Sequence, residues 1–172
     1  MTDQTPRVQL LLTGNEIMSG DTVDSNSAMI AKRLDELAIG IYRKVTVGDD
    51  PALLQQELTA MAANADLIIV NGGLGPTVDD LTAEILAAAA KVSLQEHPQA
   101  IAHLQQWCAG RNLELNAANL KQPMLPEGCQ IVDNPIGSAV GFEMNMDGCR
   151  IICTPGVPSE LAAMLDIIVA SL

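Results

Sequence analysis

The stretch Val70–Asp80 reads VNGGLGPTVDD, a loop with three glycines that follows an apolar run and ends on two carboxylates. Similar loops follow two other short apolar runs: TGNEIMSGD comes after Val8–Leu12, and TPGVPSE comes after Ile151–Cys153. Short continuous apolar runs are typical of strands that are buried on both faces of a parallel sheet. Helical patterns alternate with these strands. The sequence therefore predicts an α/β fold with a mostly parallel sheet between helices.

The segment VGFEMNMDGCRIIC, Val140–Cys153, contains two apolar-polar runs on either side of Asp147-Gly148. This dipeptide is a strong signal for a β-hairpin turn. We expect the hairpin to add an antiparallel strand at one edge of the sheet. No interdomain linker interrupts the pattern, so we expect a single domain over residues 1–172.

Helix boundaries are predicted from capping residues. Asp50-Pro51 is a cap followed by proline at the first helical position. Thr77 and Asp80 match a capping box that opens a helix through Ala90. The remaining expected boundaries are an N-terminal cap at Ser25 or Asn26, a helix end at Gly40, and an N-terminal cap at Ser159.

Charge and composition exclude several classes of partner. The 172 residues carry 9 Lys+Arg against 21 Asp+Glu, a formal net charge of −12, and aromatic residues make up 2%. Such a chain is poorly suited to nucleic acid or anionic membranes, and it lacks aromatic platforms for base stacking. The opening Met1–Arg7 is polar and no apolar stretch is long enough to span a membrane. We therefore expect a soluble, cytoplasmic protein.

The four cysteines form no C-x-x-C pair. In a chain without an export signal, buried free thiols are the expected state. His97 and His103 share no helical face with each other or with a cysteine, which makes a zinc site improbable.

The three glycine loops all follow strands of the predicted sheet, and ligands of open α/β sheets bind at this carboxyl edge. Glycine allows backbone N–H groups to approach a phosphate, and a helix start adds about half a positive charge. The loops therefore predict an anion-binding cleft. Neither the P-loop lysine motif nor a G-x-G-x-x-G motif after the first strand is present, which disfavours a P-loop ATPase or a simple NAD dehydrogenase.

Five carboxylates follow strands of the predicted sheet, namely Glu16, Asp49, Asp50, Asp79 and Asp80. Helix capping explains one carboxylate at a helix start, and it is the simpler interpretation for Asp50. A second adjacent carboxylate repels the first unless a cation or a hydrogen bond compensates. Asp79 and Asp80 are therefore candidate ligands for Mg²⁺ or Mn²⁺ beside a phosphate cradle.

Six motifs together resemble a known family: TGNEIMSGDTVDSNS, VGDD, VNGGLGPTVDDLTAE, LPEG, NPIGSAVGF and TPGVPSEL. In this order they are similar to the molybdopterin-binding (MoaB/Mog-like) domain of CinA-type competence/damage-inducible proteins, and the last is similar to the short YfaY-like branch. The resemblance implies a three-layer α/β/α domain that forms a dimer or trimer. It also implies binding of a small phosphorylated ligand, either a nucleotide or a pterin such as molybdopterin.

The resemblance also implies roles for individual residues. Asp80, Asp79 and Glu16 match acidic positions expected to act in catalysis, with Asp79 and Asp80 as the metal ligands. The implied ligand-binding residues are Thr13, Gly14, Asn26, Gly72, Gly73, Gly75, Thr77, Thr82, Asn134, Gly137, Ser138, Pro155 and Gly156. The family usually has an aspartate where this chain has Asn15, and a proline where it has Val140.

Three functions remain open at this point. The resemblance implies metal-dependent hydrolysis of ADP-ribose-like nucleoside diphosphate sugars, with Mg²⁺, Mn²⁺ or Co²⁺ as the cofactor. It is also compatible with adenylyl transfer to molybdopterin. The departure at Asn15 favours a third alternative, a nucleotide- or pterin-binding module without catalysis. Longer CinA proteins carry a C-terminal nicotinamide-mononucleotide deamidase domain, and nothing in this sequence matches it.

Overall fold

The computed structural model describes residues 6–172, so Met1–Thr5, part of the polar opening segment, lies outside the described residues. The strands are β1 (Val8–Thr13), β2 (Ile41–Val47), β3 (Leu67–Asn71), β4 (Leu94–Glu96), β5 (Met124–Pro126), β6 (Gln130–Val132), β7 (Gly141–Met146) and β8 (Cys149–Thr154). The helices are α1 (Asn15–Ser19), α2 (Asn26–Asp35), α3 (Pro51–Ala62), α4 (Thr82–Ala90), α5 (Pro98–Ala109) and α6 (Pro158–Ala170). A 3₁₀ turn covers Asn119–Lys121.

The main sheet has six strands in the order β2-β1-β3-β8-β7-β6, and β4 and β5 form a separate two-stranded sheet. Strands β2, β1, β3 and β8 are parallel, while β7 runs antiparallel to β8 and to β6. The predicted mostly parallel α/β fold is confirmed. The hairpin turn at Asp147-Gly148 joins β7 to β8, but neither strand is at the edge. Strand β8 pairs with β3 inside the sheet, and β6 forms the edge.

Two apolar layers cover the two faces of the sheet, as a three-layer α/β/α arrangement requires. On one face, Leu58 of α3 and Leu86 of α4 join a core cluster with Ile68 and Ile151. On the other face, α2 and α6 pack against alternate strand residues such as Leu10 and Ile69. Because side chains alternate along a strand, buried strands such as β1 and β3 supply both clusters.

Among residues 6–172, the structure contains no helix that is long and apolar enough to cross a membrane.

Helix starts differ from several capping predictions. Asp50 caps α3 as predicted, because its side chain accepts a hydrogen bond from the Leu53 N–H at 3.0 Å. The capping box at Thr77 and Asp80 is wrong as a helix start, since α4 begins at Thr82. The Thr82 N–H and hydroxyl donate to the Gly73 and Gly72 carbonyls, at 3.1 Å and 2.8 Å. These bonds keep the preceding residues in a loop.

Three further boundaries need correction. Ser25 occupies the N-cap position of α2 without a side-chain bond, and Asp24 instead accepts the Ser27 N–H at 2.9 Å. Helix α2 ends at Asp35, and Ala38, rather than Gly40, takes the left-handed conformation at φ 56°. Pro158 begins α6, so Ser159 lies inside the first turn and does not cap it.

The glycine loop after β3 is shaped by two residues with positive φ. Gly72 has φ 109° and Gly73 has φ 71°. A Cβ atom on Gly72 would lie 2.7 Å from the Thr13 carbonyl oxygen, and one on Gly73 would collide with the Thr82 hydroxyl. Both positions therefore require glycine, for the backbone conformation and for the close approach of neighbouring chain.

All four cysteines are buried and free, as predicted. Burial raises the pKa of the Cys129 and Cys149 thiols to about 11, and it raises the pKa of Cys153 further. These thiols are therefore neutral at physiological pH and poorly reactive.

We expect the native protein to resist thiol-specific reagents at pH 8, and all four thiols to react with them in denaturant. Because the folded pKa values of Cys129, Cys149 and Cys153 lie above the unfolded value of about 8.5, these three thiols stabilise the fold below that pH. This contribution is lost as the pH rises from about 8.5 to 11. Urea unfolding at pH 7.5 and pH 10, combined with thiol titration, checks both expectations. Rapid stoichiometric labelling of the native protein at pH 8 would contradict the buried-thiol assignment.

We expect Gly72→Ala to lower the free energy of unfolding by more than about 2 kcal/mol, because it adds a backbone clash to a strained φ. Gly128→Ala is the matched control. Gly128 has φ 81° but nothing lies within 4 Å of its Cβ position, so only the strain of about 1 kcal/mol applies. Urea unfolding of both variants measures the difference. If both variants lose the same free energy of unfolding, the close approach of Gly72 to the Thr13 carbonyl does not affect stability.

Candidate functional site

A cavity of about 700 Å³ lies where β1, β3 and β8 end. The three strands are neighbours in the sheet, and Asn71 at the end of β3 pairs with Leu12 on one side and Thr154 on the other. Their glycine loops therefore meet at one edge, as expected for ligand sites of open α/β sheets. The segment before α2 completes the wall, together with Gln122 and Ser138.

Most residues implied by the family resemblance line this cavity. They are Thr13, Gly14, Glu16, Asn26, Gly72, Gly73, Gly75, Thr77, Asp79, Asp80, Ser138, Pro155 and Gly156. Three others do not line it: Thr82, Asn134 and Gly137. Thr82 holds the glycine loop from behind, as its hydroxyl bond to the Gly72 carbonyl shows.

The loop at Gly73, Leu74 and Gly75 presents free backbone donors. Within residues 6–172, none of these three N–H groups donates to a protein acceptor. Successive backbone N–H groups in a loop with positive φ form a concave anion-binding surface. Helix α6 begins at the same cavity, which Val157 and Pro158 line, so its dipole adds to the attraction for an anion.

A buried network of amide side chains links the loops after β3 and β8 to the start of α2. The Asn71 Oδ1 atom accepts from Asn26 Nδ2 at 2.8 Å, and its Nδ2 atom donates to the Thr154 hydroxyl and the Pro155 carbonyl. Asn26 Nδ2 also donates to the Gly156 carbonyl at 2.8 Å. Asn71 is 2% exposed, so its amide has lost its contacts with water, and these hydrogen bonds replace them.

Asp80 is fixed at one of its two oxygen atoms. Its Oδ2 atom accepts from the Thr77 N–H at 2.9 Å and from the Thr77 hydroxyl at 2.6 Å. The Thr77 carbonyl in turn accepts from Lys121 Nζ at 2.8 Å. The Oδ1 atom of Asp80 has no protein donor within the described chain. One carboxylate oxygen is thus held in place while the other is available to a ligand or cation.

The loop after β1 is fixed by Asp49. Its carboxylate accepts from the Thr13 hydroxyl at 3.1 Å and from the Asn15 N–H at 3.2 Å. The Asn15 side-chain oxygen accepts the Asp49 N–H at 3.0 Å in return. The asparagine that departs from the family pattern therefore pairs with Asp49, and an aspartate here would place two carboxylates together. Glu16 accepts no hydrogen bond through its carboxylate within residues 6–172.

The segment Asn134–Ser138 is organised by Asn134, which lies outside the cavity, and by Glu160, which lines it. The Asn134 Oδ1 atom accepts the Gly137 N–H at 2.9 Å, and its Nδ2 atom donates to Glu160 at 2.8 Å. A Cβ atom on Gly137 would collide with the Glu160 carboxylate. Asn134 and Gly137 thus position Ser138 and do not face the ligand space themselves.

The cavity is strongly acidic. No lysine or arginine of the described chain lines it. Six carboxylates do, namely Glu16, Asp24, Asp49, Asp79, Asp80 and Glu160. Burial raises the pKa of Asp24, but hydrogen bonds from Ser27 and Lys44 outweigh it and hold that pKa below its usual value. Free backbone donors therefore favour an anion here, while the surrounding side chains repel one.

Sequence reasoning missed Gln122 and the roles of Asn71 and Lys121. Asn71 directly ends a buried strand, and a polar residue at that position is a usable signal. Lys121 and Gln122 come from an irregular segment between α5 and β5, far from the glycine loops in sequence. No local pattern indicates that Gln122 lines the cavity or that Lys121 bonds to the Thr77 carbonyl.

Among residues 6–172, no group of three or more histidine, cysteine, aspartate or glutamate side chains is arranged to hold a metal ion. Asp79 and Asp80, the two expected metal ligands, both line the cavity, and within the described residues no donor bonds the Oδ1 atom of Asp80. Mg²⁺ commonly binds one or two carboxylates and completes its shell with water and substrate phosphates.

Comparison with known proteins identifies relatives along nearly the whole chain. A family model described as "Probable molybdopterin binding domain" matches residues 9–172. The CinA-like protein of Colwellia psychrerythraea is 60% identical over 160 residues, which is 93% of this chain and 37% of that protein. The Shewanella oneidensis protein named nicotinamide-nucleotide amidohydrolase PncC is 42% identical over 92% of this chain and 38% of its own length. The chain thus spans less than two-fifths of these curated relatives.

Solved structures agree with the fold. The protein CinA from Thermoplasma acidophilum, whose function is described as unknown, has a TM-score of 0.88 at 30% identity, covering 96% of this chain and 98% of that one. The molybdopterin biosynthesis enzyme MoaB from Thermus has a TM-score of 0.65 at 20% identity, covering 97% and 91%, and supports the fold alone. The motif order, the three-layer fold and these matches agree, and the chain belongs to the molybdopterin-binding (MoaB/Mog-like) domain family in its CinA-type form.

Proposed function

We propose that this domain hydrolyses the diphosphate of ADP-ribose-like nucleoside diphosphate sugars with the help of a divalent cation. The observation that carries the proposal is the conflict inside the cavity. Free N–H groups of the glycine loop suit a diphosphate, but six lining carboxylates repel it and no lysine or arginine lines the described wall. A cation held between carboxylate and phosphate resolves this conflict.

Asp80 and Asp79 would hold the cation together with phosphate oxygens. The Oδ1 atom of Asp80 is free, whereas its Oδ2 atom is fixed by Thr77. When bound, Mg²⁺, Mn²⁺ or Co²⁺ neutralises the charge that develops on the phosphate oxygens and increases the acidity of water. The family resemblance supports the choice of substrate class.

The chain's own groups would divide the remaining work. The N–H groups of Gly73, Leu74 and Gly75 bind the diphosphate and stabilise its charge in the transition state. Glu16, with its carboxylate free of protein donors, accepts a proton from the attacking water. The water oxygen bonds to phosphorus as the bridging P–O bond breaks, so AMP and a sugar phosphate are released.

We expect Asp80→Asn to lower kcat/KM for ADP-ribose by about 100-fold or more, because the free Oδ1 charge is lost while the Thr77 bonds remain possible. Asp50→Asn is the matched control, since Asp50 caps α3 and does not line the cavity. It should leave both stability and turnover nearly unchanged, because asparagine caps a helix about as well as aspartate does. Release of AMP, measured with the purified domain, compares the variants. Full activity of Asp80→Asn would exclude Asp80 from the reaction.

We expect removal of divalent cations with EDTA to abolish AMP release, and Mg²⁺, Mn²⁺ or Co²⁺ to restore it. The physical reason is the uncompensated repulsion between the diphosphate and the acidic wall. Ca²⁺, which is larger and tolerates irregular coordination, is a useful comparison for binding without efficient turnover. Unchanged AMP release in EDTA would overturn the metal-dependent proposal.

The family model describes a probable molybdopterin binding domain, which supports molybdopterin as a ligand. The second candidate is therefore adenylyl transfer to molybdopterin in the same cavity. ATP-dependent formation of an adenylylated pterin would support it and displace the hydrolase proposal. Ligand-induced thermal stabilisation without product from either reaction would favour a binding module without catalysis.

A further inference from the structure

Two buried side-chain oxygens in the cavity wall have no hydrogen-bond partner among residues 6–172. They are Oδ1 of Asn26 and Oε1 of Gln122, and two further partnerless atoms, on Gln9 and His97, lie away from the cavity. Asn26 and Gln122 are 7% and 8% exposed. A buried acceptor without a donor destabilises a fold, so each one in a native structure needs a physical reason.

Gln122 is held in place by hydrogen bonds from its side chain and from its backbone. Its Nε2 atom donates to the Ser138 hydroxyl oxygen at 3.0 Å, and its backbone N–H donates to the Asn119 carbonyl at 3.0 Å. The preceding residue, Lys121, is tied to the Thr77 carbonyl. Lys121 and Gln122 together therefore link the glycine loop to Ser138, and the Gln122 amide is fixed through its Nε2 atom.

A phosphate group cannot satisfy these oxygens. At neutral pH a diphosphate offers only acceptors, and its place is at the free N–H groups of the glycine loop. An unpartnered carbonyl oxygen needs an N–H or O–H donor. The free oxygens of Asn26 and Gln122 therefore fit the parts of a ligand that are not phosphate.

We propose that Gln122 and Ser138 recognise the ring of the ligand through a donor–acceptor pair. Gln122 Oε1 accepts from an exocyclic amino group, and the Ser138 hydroxyl, which has no acceptor within the described chain, donates to the adjacent ring nitrogen. The ligand class is an amino-substituted nitrogen heterocycle, which includes adenine and pterin. The inference rests on the proposed function only in that a phosphorylated ligand occupies this cavity.

Asn26 also offers an acceptor for a part of the ligand that is not phosphate. Both donor capacities of its Nδ2 atom are used, by Asn71 and by the Gly156 carbonyl, so only Oδ1 is available to a ligand. A sugar hydroxyl is the donor that a phosphorylated nucleoside offers next to its phosphates. The cavity thus presents donors for phosphate and acceptors for the remainder of the ligand.

The test is equilibrium binding of AMP and IMP in Mg²⁺. In IMP an oxygen replaces the amino group and the ring nitrogen carries a proton, so both contacts are lost. Trp107, the single tryptophan, donates to the Ile136 carbonyl at 2.8 Å beside the Ser138 segment, and its fluorescence reports binding without turnover. We expect the native protein to prefer AMP by about 10- to 100-fold.

Gln122→Leu should bring this ratio close to one, and Gln122→Glu, which keeps an acceptor, should retain the preference for the amino group. Gln9→Leu is the matched control, because Gln9 is also buried with a free Oε1 but does not line the cavity. That variant should retain the native ratio. Lumazine is the analogue of pterin that lacks the amino group. If the native protein binds AMP and IMP equally, and also binds pterin and lumazine equally, the inference is wrong.

The two ligand pairs also identify the source of the ring. Selectivity for AMP over IMP indicates adenine, and selectivity for pterin over lumazine indicates a pterin. If Gln122→Leu instead raises the Mg²⁺ concentration needed for binding at an unchanged AMP/IMP ratio, the oxygen binds the cation and the inference is wrong. Because binding is measured without turnover, absence of AMP release from ADP-ribose would overturn the hydrolase proposal and leave this test intact.

Discussion

The carboxamide of Asn71 is the contact on which the site depends. It sits at the end of the central strand and bonds to a residue of α2 and to the loop after β8, while the backbone N–H of Gly72 donates to the Thr154 carbonyl at 2.9 Å. Parallel strands place their loops at one edge, but they do not fix the loops relative to one another. The buried amide does this, because each of its polar atoms would otherwise be left without a partner.

Backbone and side chains act in opposite directions within the cavity. The backbone, through free N–H groups and the start of α6, attracts negative charge, whereas the lining side chains supply negative charge. Neither alone defines a ligand. On our proposal a phosphate bound through a cation would satisfy both, and the carboxylates that prevent unassisted binding would become the ligands that retain the cation. Asn15 fits this arrangement, because its neutral side chain accepts the Asp49 N–H without placing another charge beside the Asp49 carboxylate.

Sequence patterns predicted the parts of the structure that follow from local chemistry. Buried strands were recognisable as apolar runs, Asp50-Pro51 marked a true helix start, and glycine loops marked the edge at which the cavity lies. The capping box at Thr77 and Asp80 was misread because the same hydrogen-bonding groups can close a loop when Thr82 bonds back to Gly72. Gln122 could not be found in this way. Its position depends on pairing between β4 and β5 and on contacts with distant segments, which leave no short-range pattern.

The strand order also has a consequence for how copies of this domain meet. One edge of the main sheet is β6, only three residues long, and the other is β2, where Arg43 and Lys44 are exposed. Short or charged edge strands oppose continuation of the hydrogen-bond ladder into a neighbouring molecule. Both edges of the main sheet thus oppose amyloid-like stacking of one copy of the domain on another.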